Sequence, residues 1–438
     1  MLIKVDENLW FDNEKLYIID GEKNKVQYED NIDKFSVVSK KVSNDWYPTL
    51  IFLASTRCNL RCKYCFAHDG TYDVEGKKHL ITFDEFKRIF DYFYSVYGHI
   101  NAISFFGGEP MLNYTEIDKF CQYLFENYTE DERPILGINT NGTIMNENIK
   151  KTISRYGINF GTSLDGLKDI NDEQRVGPGI ESVFDKVRET LEYIQDVPVA
   201  KIVQFTVTKN QIIDYKKGDY FKWMLEMEKM GVDFTEVVPV TTEDMNLKIT
   251  LEDEEIRKNY DLFCKDLFDY TISKIKVENG NMQNCSKLVV GVLCRIMGRK
   301  YQNDCSAGYS YSITPQEEIF PCHSFVLDKR YGVKFHEDFD IEDLNKNEYF
   351  QQAKKASRES IGECRSCIGT KLCPYYCRGL SLSTYGKVDL VFEERCHMMN
   401  IIVRESIRFL SGPEFKNNRS TIITNLVEYN NTAKLSKC

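Results

Sequence analysis

Thr56-Arg57-Cys58-Asn59-Leu60-Arg61-Cys62-Lys63-Tyr64-Cys65-Phe66 is the stretch from which the rest of the chain can be read. It follows Leu50–Ala54, a short apolar run of the kind buried in a parallel sheet. Its three cysteines stand at CxxxCxxC spacing. With 15 cysteines in 438 residues, that pattern arises by chance about 0.02 times per chain, so it carries information. Three thiolates cannot complete a four-iron site, which favours an iron–sulfur cluster with one iron lacking a protein ligand. A metal position left open in this way is where a substrate or cofactor binds, as at an open catalytic zinc. The plainer alternatives are a zinc knuckle short of one ligand, or three core thiols.

Working outward, βα alternation surrounds the motif. Thr82 and Glu85 have capping-box spacing and open a helix to about Tyr97. Strands are expected at Asn101–Phe106, Ile135–Ile138, Ile158–Ser163, Ile202–Val207 and Phe234–Val238, with helices near 114–127, 146–156, 180–194 and 215–230. Six strands alternating with helices imply parallel βα units, fewer than the eight of a closed barrel. A partial (β/α)6 TIM-like barrel or an open doubly wound sheet is expected, and in either the loops at the strands' C-terminal ends carry the chemistry. Those loops are polar and rich in glycine: Gly107-Gly108-Glu109-Pro110, Asn139-Thr140-Asn141-Gly142, and Ser163-Leu164-Asp165-Gly166 followed by Arg175. Singly each reads as a turn; together on one rim they read as a site.

Composition sets the bounds. Lys+Arg 57 against Asp+Glu 67 gives a net charge of −10, which argues against nucleic-acid or anionic-membrane partners. No uncharged apolar run approaches the roughly 18 residues of a membrane helix, and the charged start resembles no export signal. The expectation is a cytoplasmic protein, where clustered cysteines are metal ligands or reactive thiols rather than a disulfide framework. Residues 1–47 form a small β-rich segment, 48–250 the barrel, 251–300 a helical bridge, 301–411 a cysteine-dense domain and 412–438 a polar, mobile tail. Asp20-Gly21 marks a turn into a further extended segment.

The cysteine-dense domain has Cys364-Arg-Ser-Cys367, then Cys373-Pro-Tyr-Tyr-Cys377, with Cys305 and Cys322 before and Cys396 after. Seven thiols need two sites, divided four and three, with iron–sulfur clusters and structural zincs both open from spacing alone.

CxxxCxxC after strand one, GGEP after strand two and SLDG after strand four resemble the radical S-adenosylmethionine (SAM) enzymes, over about residues 48–240. The resemblance implies that Cys58, Cys62 and Cys65 hold a [4Fe-4S] cluster whose open iron is chelated by SAM, and that reductive cleavage yields a hydrogen-abstracting 5′-deoxyadenosyl radical. It further implies that Gly107, Gly108 and Glu109 meet the methionine amino group, that Asn141, Ser163, Asp165 and Arg175 contact the cofactor, and that Phe66 packs near adenine. The later cysteines resemble the SPASM extension of peptide-modifying members. That implies two auxiliary clusters: Cys305, Cys322 and Cys377 on one, Cys364, Cys367, Cys373 and Cys396 on the other, making three [4Fe-4S] clusters in all. The first auxiliary set lacks an obvious fourth ligand; Cys294 is a candidate, and an open iron that takes a substrate thiolate is the alternative. Glu317 stands where the family has glycine, which puts the local turn in question.

Sulfatase-maturing members carry aspartate just after the second SPASM cysteine; here it is His323, a base, a hydrogen-bonding residue or merely a cap on the cluster loop. Cys305-Ser-Ala-Gly308, Pro-Cys-His-Ser-Phe-Val326 and Ala67–Tyr72 look more like the ranthipeptide- and sactipeptide-type maturases, which form thioether links in Cys-rich ribosomal peptides. The implied partners are a precursor peptide and an electron donor of the flavodoxin or ferredoxin type, in an anaerobic setting. Residues 1–47 are too short for a complete leader-binding domain and are a partial peptide-binding element at most. Carbon–carbon cross-linking, epimerisation and formylglycine formation share the architecture. A non-catalytic iron–sulfur or zinc scaffold is the distant alternative.

Overall fold

Short β-branched and aromatic runs alternate with segments whose apolar residues recur every three to four positions, and each folds accordingly. The computed structural model describes residues 1–21, 47–73, 76, 78–278, 280–302 and 305–435. An antiparallel three-stranded sheet comes first: β1 (Leu2–Asp6), β2 (Leu9–Asp12) and β3 (Tyr17–Asp20). The β1–β2 turn splits the apolar stretch Val5–Trp10. The extended segment expected after Gly21 lies outside the described residues.

The βα series follows: β4 (Thr49–Ser55), α1 (Phe83–Tyr97), β5 (Ala102–Gly107), α2 (Tyr114–Asn127), β6 (Ile135–Thr140), α3 (Glu147–Tyr156), β7 (Asn159–Ser163), α4 (Lys168–Gln174), α5 (Val183–Tyr193), β8 (Lys201–Val207), α6 (Lys209–Ile212), α7 (Asp219–Lys229) and β9 (Phe234–Pro239). Strands β4 to β9 are parallel and adjacent in chain order, so this is the expected α/β partial barrel and all their C-terminal ends lie on one rim. The expected capping box opens α1: Glu85 accepts from the Thr82 amide at 2.9 Å. Phe52, Phe86, Phe105 and Phe120 interlock beneath, Phe52 and Phe86 edge to face at 5.0 Å. Helix α4 is not foreshadowed in the sequence pattern, and it places Arg175 at its C-terminal end.

Helices α8 (Glu254–Ile275) and α9 (Lys287–Gly298) lead into β10 (Tyr311–Ile313), β11 (Glu318–Phe320) and β12 (Val333–Lys334). These do not form a sheet of their own. Strand β10 pairs in parallel with β4, and β11 and β12 add antiparallel strands, giving one nine-stranded sheet in the order β12-β11-β10-β4-β5-β6-β7-β8-β9. One continuous apolar core runs from Val5 through Phe52 and Ile313 to Tyr429. The cysteine-dense part shares this core through Ile319, Phe335, Phe350, Leu372 and Met398.

Short helices α10 (Glu342–Lys346), α11 (Glu348–Lys355), α12 (Gly362–Arg365) and α13 (Arg378–Tyr385) precede α14 (Glu393–Ser411). The N-terminal sheet docks on α14, where Arg408 grips Asp6 at 2.8 and 2.9 Å, and Asn13 donates to the Cys367 carbonyl at 3.1 Å. The expected mobile tail is corrected: it forms α15 (Pro413–Asn417) and α16 (Arg419–Leu435). Ile422, Leu426 and Tyr429 recur at helical spacing among polar residues and are buried. Asn425 caps the Ile275 carbonyl at 2.9 Å.

The turn between β10 and β11 keeps its shape without glycine. Glu317 sits at φ +58°, its amide donating to Thr314 at 2.8 Å, while its carboxylate pairs with Arg88 and Lys334. A left-handed non-glycine residue costs about 1 kcal/mol or more, and exposed ion pairs return less than that. Glu317→Gly is therefore expected to be more stable than Glu317→Ala by about 1 kcal/mol. Denaturant unfolding of the two variants checks this; equal midpoints would show that the turn stores no strain.

Candidate active site

The rim gathers the predicted residues. Gly107 (φ +127°) and Gly108 end β5 against the loop that leaves β4. A Cβ on Gly107 would come within 2.1 Å of the Ser55 carbonyl, and one on Gly108 within 2.5 Å of the Arg57 and Gly70 carbonyls. Two glycines thus allow β5 to press on the segment carrying Cys58, and amides 108 and 109 donate to Ser55 and Arg57 at 2.8 Å each.

Cys58, Cys62 and Cys65 line a cavity of about 160 Å³ together with Phe66, Ser163 and Arg175; Gly107, Gly108 and Asn141 complete the wall. The Leu60 amide and the Asn141 side chain point at the Cys58 sulfur at 3.4 and 3.6 Å. Burial pushes the Cys58 thiol up, and pushes Cys62 up to about 12 against the pull of Arg175.

Two expected contact residues lie behind the wall instead. Glu109 is fully buried and its carboxylate accepts from Thr140 Oγ1 (2.6 Å), the Asn141 amide (2.7 Å) and the Met111 amide (2.9 Å). It ties the end of β5 to the end of β6, and burial pushes its pKa up to about 7 in spite of these donors. Asp165 is likewise fully buried. Arg175 grips it with Nε at 2.9 Å and a terminal nitrogen at 3.1 Å, Tyr64 Oη donates to it, and the Thr206 amide donates at 3.0 Å. Arg175 Nη1 then reaches Cys62 Sγ at 4.0 Å. The pair Asp165–Arg175 is a buried brace that aims one edge of a guanidinium at the thiols.

The same cavity shows two residues that motif reading missed. Thr162 Oγ1 is buried in the wall with no partner among the described residues; Gly142 leaves it room, since a Cβ there would come within 2.4 Å. Tyr64, inside the cysteine motif, seals the floor. Spacing could have flagged Tyr64; nothing in the sequence singles out Thr162, a strand residue between Gly161 and Ser163.

A second cavity, about 380 Å³, adjoins the first: Tyr64, Phe66 and Phe106 border both, and His323, Ser324 and Arg395 line the second alone. His323 lies over Phe106 at 4.6 Å, with Nδ1 3.6 Å from Cys322 Sγ. Desolvation inside this wall pushes it down to about 4, so it is a neutral imidazole at neutral pH. Arg395 is buried and spends two nitrogens on the Pro239 carbonyl at 3.1 and 3.3 Å.

The later thiols fall into two groups. Cys305, Cys322 and Cys377 act on one another electrostatically, as do Cys364, Cys367, Cys373 and Cys396. Burial pushes Cys377 and Cys396 up to about 12 and Cys364 up to about 11. The Gly369 and Tyr375 amides point at Cys367 and Cys373 at 3.3 and 3.4 Å. Cys294 is buried on α9, where its charge acts on Tyr429 of α16 and on Arg295. Cys121, Cys264 and Cys285 are fully buried in the core; Cys438 lies outside the described residues. Among the described residues no three Cys, His, Asp or Glu side chains are grouped as for a single bound metal ion. Another cavity, about 780 Å³, sits at the opposite rim around Ile135 and Pro198 and contains none of the expected residues.

These residues fit a sulfur-bound cluster with a ligand beside it: three thiols with amides aimed at sulfur, a glycine-lined floor that no Cβ could share, and an unpartnered hydroxyl in the wall.

Two outcomes follow from this geometry. Glu109 binds its proton more tightly folded than unfolded, so its burial destabilises the fold increasingly as pH rises from about 4.5 to about 7. The stability difference between wild type and Glu109→Gln should move against wild type by on the order of 3 kcal/mol across that window; a pH-independent difference in denaturant unfolding would rule this out. Asp165→Asn leaves Arg175 buried without its counter-charge and should lose about 3–5 kcal/mol, read as a lowered unfolding midpoint.

Comparison with known proteins agrees with this arrangement. A sequence profile described as the Radical SAM superfamily matches residues 53–213. A cysteine-type anaerobic sulfatase-maturating enzyme of Clostridium perfringens is 28% identical over 348 residues, 75% of this chain and 88% of that protein. The solved structure of native anSMEcpe with bound AdoMet and the Cp18Cys peptide superposes with TM-score 0.63 at 21% identity, covering 88% of this chain and 99% of that one. Streptococcus suis SuiB bound to precursor peptide SuiA superposes with TM-score 0.54 at 15% identity, covering 90% of this chain and all (100%) of that one.

Proposed function

Because this chain belongs to the radical SAM superfamily and is an enzyme, we propose that it is a peptide maturase that installs thioether cross-links in a Cys-rich, ribosomally made precursor. The observation that carries this reading is a pair of adjoining cavities with Tyr64, Phe66 and Phe106 in both walls, one lined by Cys58, Cys62 and Cys65 and the other by His323 beside Cys322. In this reading the first takes the cofactor and the second a peptide side chain.

In this reading Cys58, Cys62 and Cys65 hold a [4Fe-4S] cluster and the smaller cavity takes SAM; together these supply a hydrogen-abstracting radical. The chain's own residues do the rest. Phe66 and Phe106 keep water from the passage between the cavities. Thr162 Oγ1 and the Arg175 guanidinium offer hydrogen-bond donors to the cofactor's polar groups, and the brace on Asp165 holds that guanidinium in place. Glu109 acts behind the wall, fixing the Asn141 amide. His323, neutral and facing the second cavity, offers a ring nitrogen as a hydrogen-bonding group to a substrate, and its lowered basicity argues against a role as a strong base.

Cys364, Cys367, Cys373 and Cys396 would hold a second cluster and Cys305, Cys322 and Cys377 a third. Three thiols in the last group leave an iron free for a substrate thiolate, which suits sulfur–carbon bond formation better than a closed relay. An electron donor of the flavodoxin or ferredoxin type supplies the reducing equivalent. Among the described residues no helix is long and apolar enough to cross a membrane.

Formylglycine formation is the second reading, favoured by the 28% identity to a sulfatase-maturating enzyme. Against it stands His323 where the resemblance expects aspartate. Mass decides between them. Reduced enzyme, SAM and a Cys-rich precursor encoded beside it should give a peptide lighter by two hydrogens per link with its thiols blocked to alkylation. Lost hydrogens with every thiol still free, or loss of a cysteine sulfur, would reject thioether formation. Anaerobically purified protein should carry about twelve irons per chain, whereas two zincs and little iron would point to the scaffold alternative.

A further inference from the structure

The loop after Phe66 is strained. His68, Asp69, Tyr72 and Asp73 have φ of +46°, +59°, +55° and +50°, and for a bulky residue such as Tyr72 that is a true outlier. Such strain persists only where the surroundings over-determine it, and here they do. Gly70 seats the loop against Cys58 and Gly108, where a Cβ would come within 2.7 and 2.8 Å. The Tyr72 amide donates to Ala67 at 2.9 Å, and its ring meets Phe66 edge-on at 6.0 Å.

The strained backbone delivers a phenol to a dry spot between two sets of thiols. Tyr72 is 1% exposed. It belongs to a small apolar cluster with Leu53, Ala307 and Phe320, which Cys65, Cys305 and Cys322 border. Its hydroxyl has no partner among the described residues. Burial, then Cys65, Cys322 and Cys58, hold the phenol's pKa far above its ordinary value, so the proton stays on oxygen. An unpartnered buried hydroxyl is destabilising, and phenylalanine would avoid the loss. The side chains whose charge acts on this phenol are the thiols of Cys65, Cys322 and Cys58.

We propose that the Tyr72 hydroxyl donates a hydrogen bond to a sulfur of the centre held by Cys58, Cys62 and Cys65, and so raises that centre's reduction potential. This rests on the reading of those thiols as cluster ligands. The commitment to this centre follows from Gly70, which clamps the loop to Cys58 itself. A donor aimed at cluster sulfur favours the reduced, more negative form, the lever by which proteins tune such centres. Tyr72 is thus a positioning residue for electrons, touching no substrate.

Tyr72→Phe keeps the ring and removes one polar atom, so it should fold and load iron as wild type does. Redox titration of both holoenzymes followed by electron paramagnetic resonance tests the proposal, with added SAM marking the first centre's signal. At a fixed solution potential the reduced-to-oxidised ratio of that centre should fall several-fold in the variant. An exchangeable proton coupled to it, seen by electron–nuclear double resonance in H2O against D2O, should disappear. Full iron loading with an unchanged ratio, or a change confined to the other centres, overturns the proposal and leaves the cluster reading standing. If wild type itself binds no iron at the three thiols, the cluster reading fails and the proposal falls with it.

Discussion

Two backbones in contact make this site possible. Gly107 and Gly108 touch the Ser55 and Arg57 carbonyls at distances no side chain could share. Because β5 can close on the β4 loop there, Cys58 is held at the rim rather than swinging above it, and Gly70 can lay the next loop over both. The CxxxCxxC segment has little secondary structure of its own. Its shape is borrowed from this contact, from the Asn141 and Leu60 nitrogens aimed at Cys58, and from the Arg61 and Lys63 amides that donate to Val176 and Gln174 at 2.6 and 2.9 Å.

The charges behind the wall extend the same logic. Glu109 and Asp165 are carboxylates with no exposure at all, which is tolerable only because each is saturated with donors. Neither lines the cavity. Each converts a flexible loop end into a fixed one, Glu109 across β5 and β6, Asp165 across α4 and β8. Burial raises the thiols of Cys58, Cys62, Cys364, Cys373, Cys377 and Cys396, so the bare protein disfavours their thiolates. A positive iron core would supply the missing counter-charge, and its binding would release protons. That argument applies to all three groups, including the two in the C-terminal part.

Much of this was legible in the sequence because it rests on local rules. Short apolar runs marked β4 to β9, Thr82 and Glu85 marked the start of α1, and cysteine spacing marked the thiol groups that the fold brings together. What escaped was decided by distant partners. The pairing of Tyr311–Ile313 with β4 turns two expected domains into one sheet, and no local signal announces a strand of three residues. Ile422, Leu426 and Tyr429 were hidden by surrounding asparagines, although their spacing is helical. Glu109 was expected at the cofactor because its motif is polar and glycine-rich; the motif could not show that the carboxylate turns inward. Glu317 shows the converse, a glycine turn kept by ion pairs to Arg88 and Lys334 that lie far away in sequence.

The merged sheet also bears on how the two ends of the molecule work together. Were the C-terminal part a separate domain on a linker, the gap between Cys65 and Cys322 would vary with hinge motion. With β10 bonded to β4 along Tyr311–Ile313, Cys322 follows two residues after β11 on the same sheet that ends at the Cys58 loop. The apolar cluster around Tyr72 and Phe320 then fills the space between. Electron and radical chemistry depends steeply on separation, so a rigid sheet is a better frame for it than a jointed one. The fold places the Cys58 loop and Cys322 on one frame, so their separation is set by the sheet.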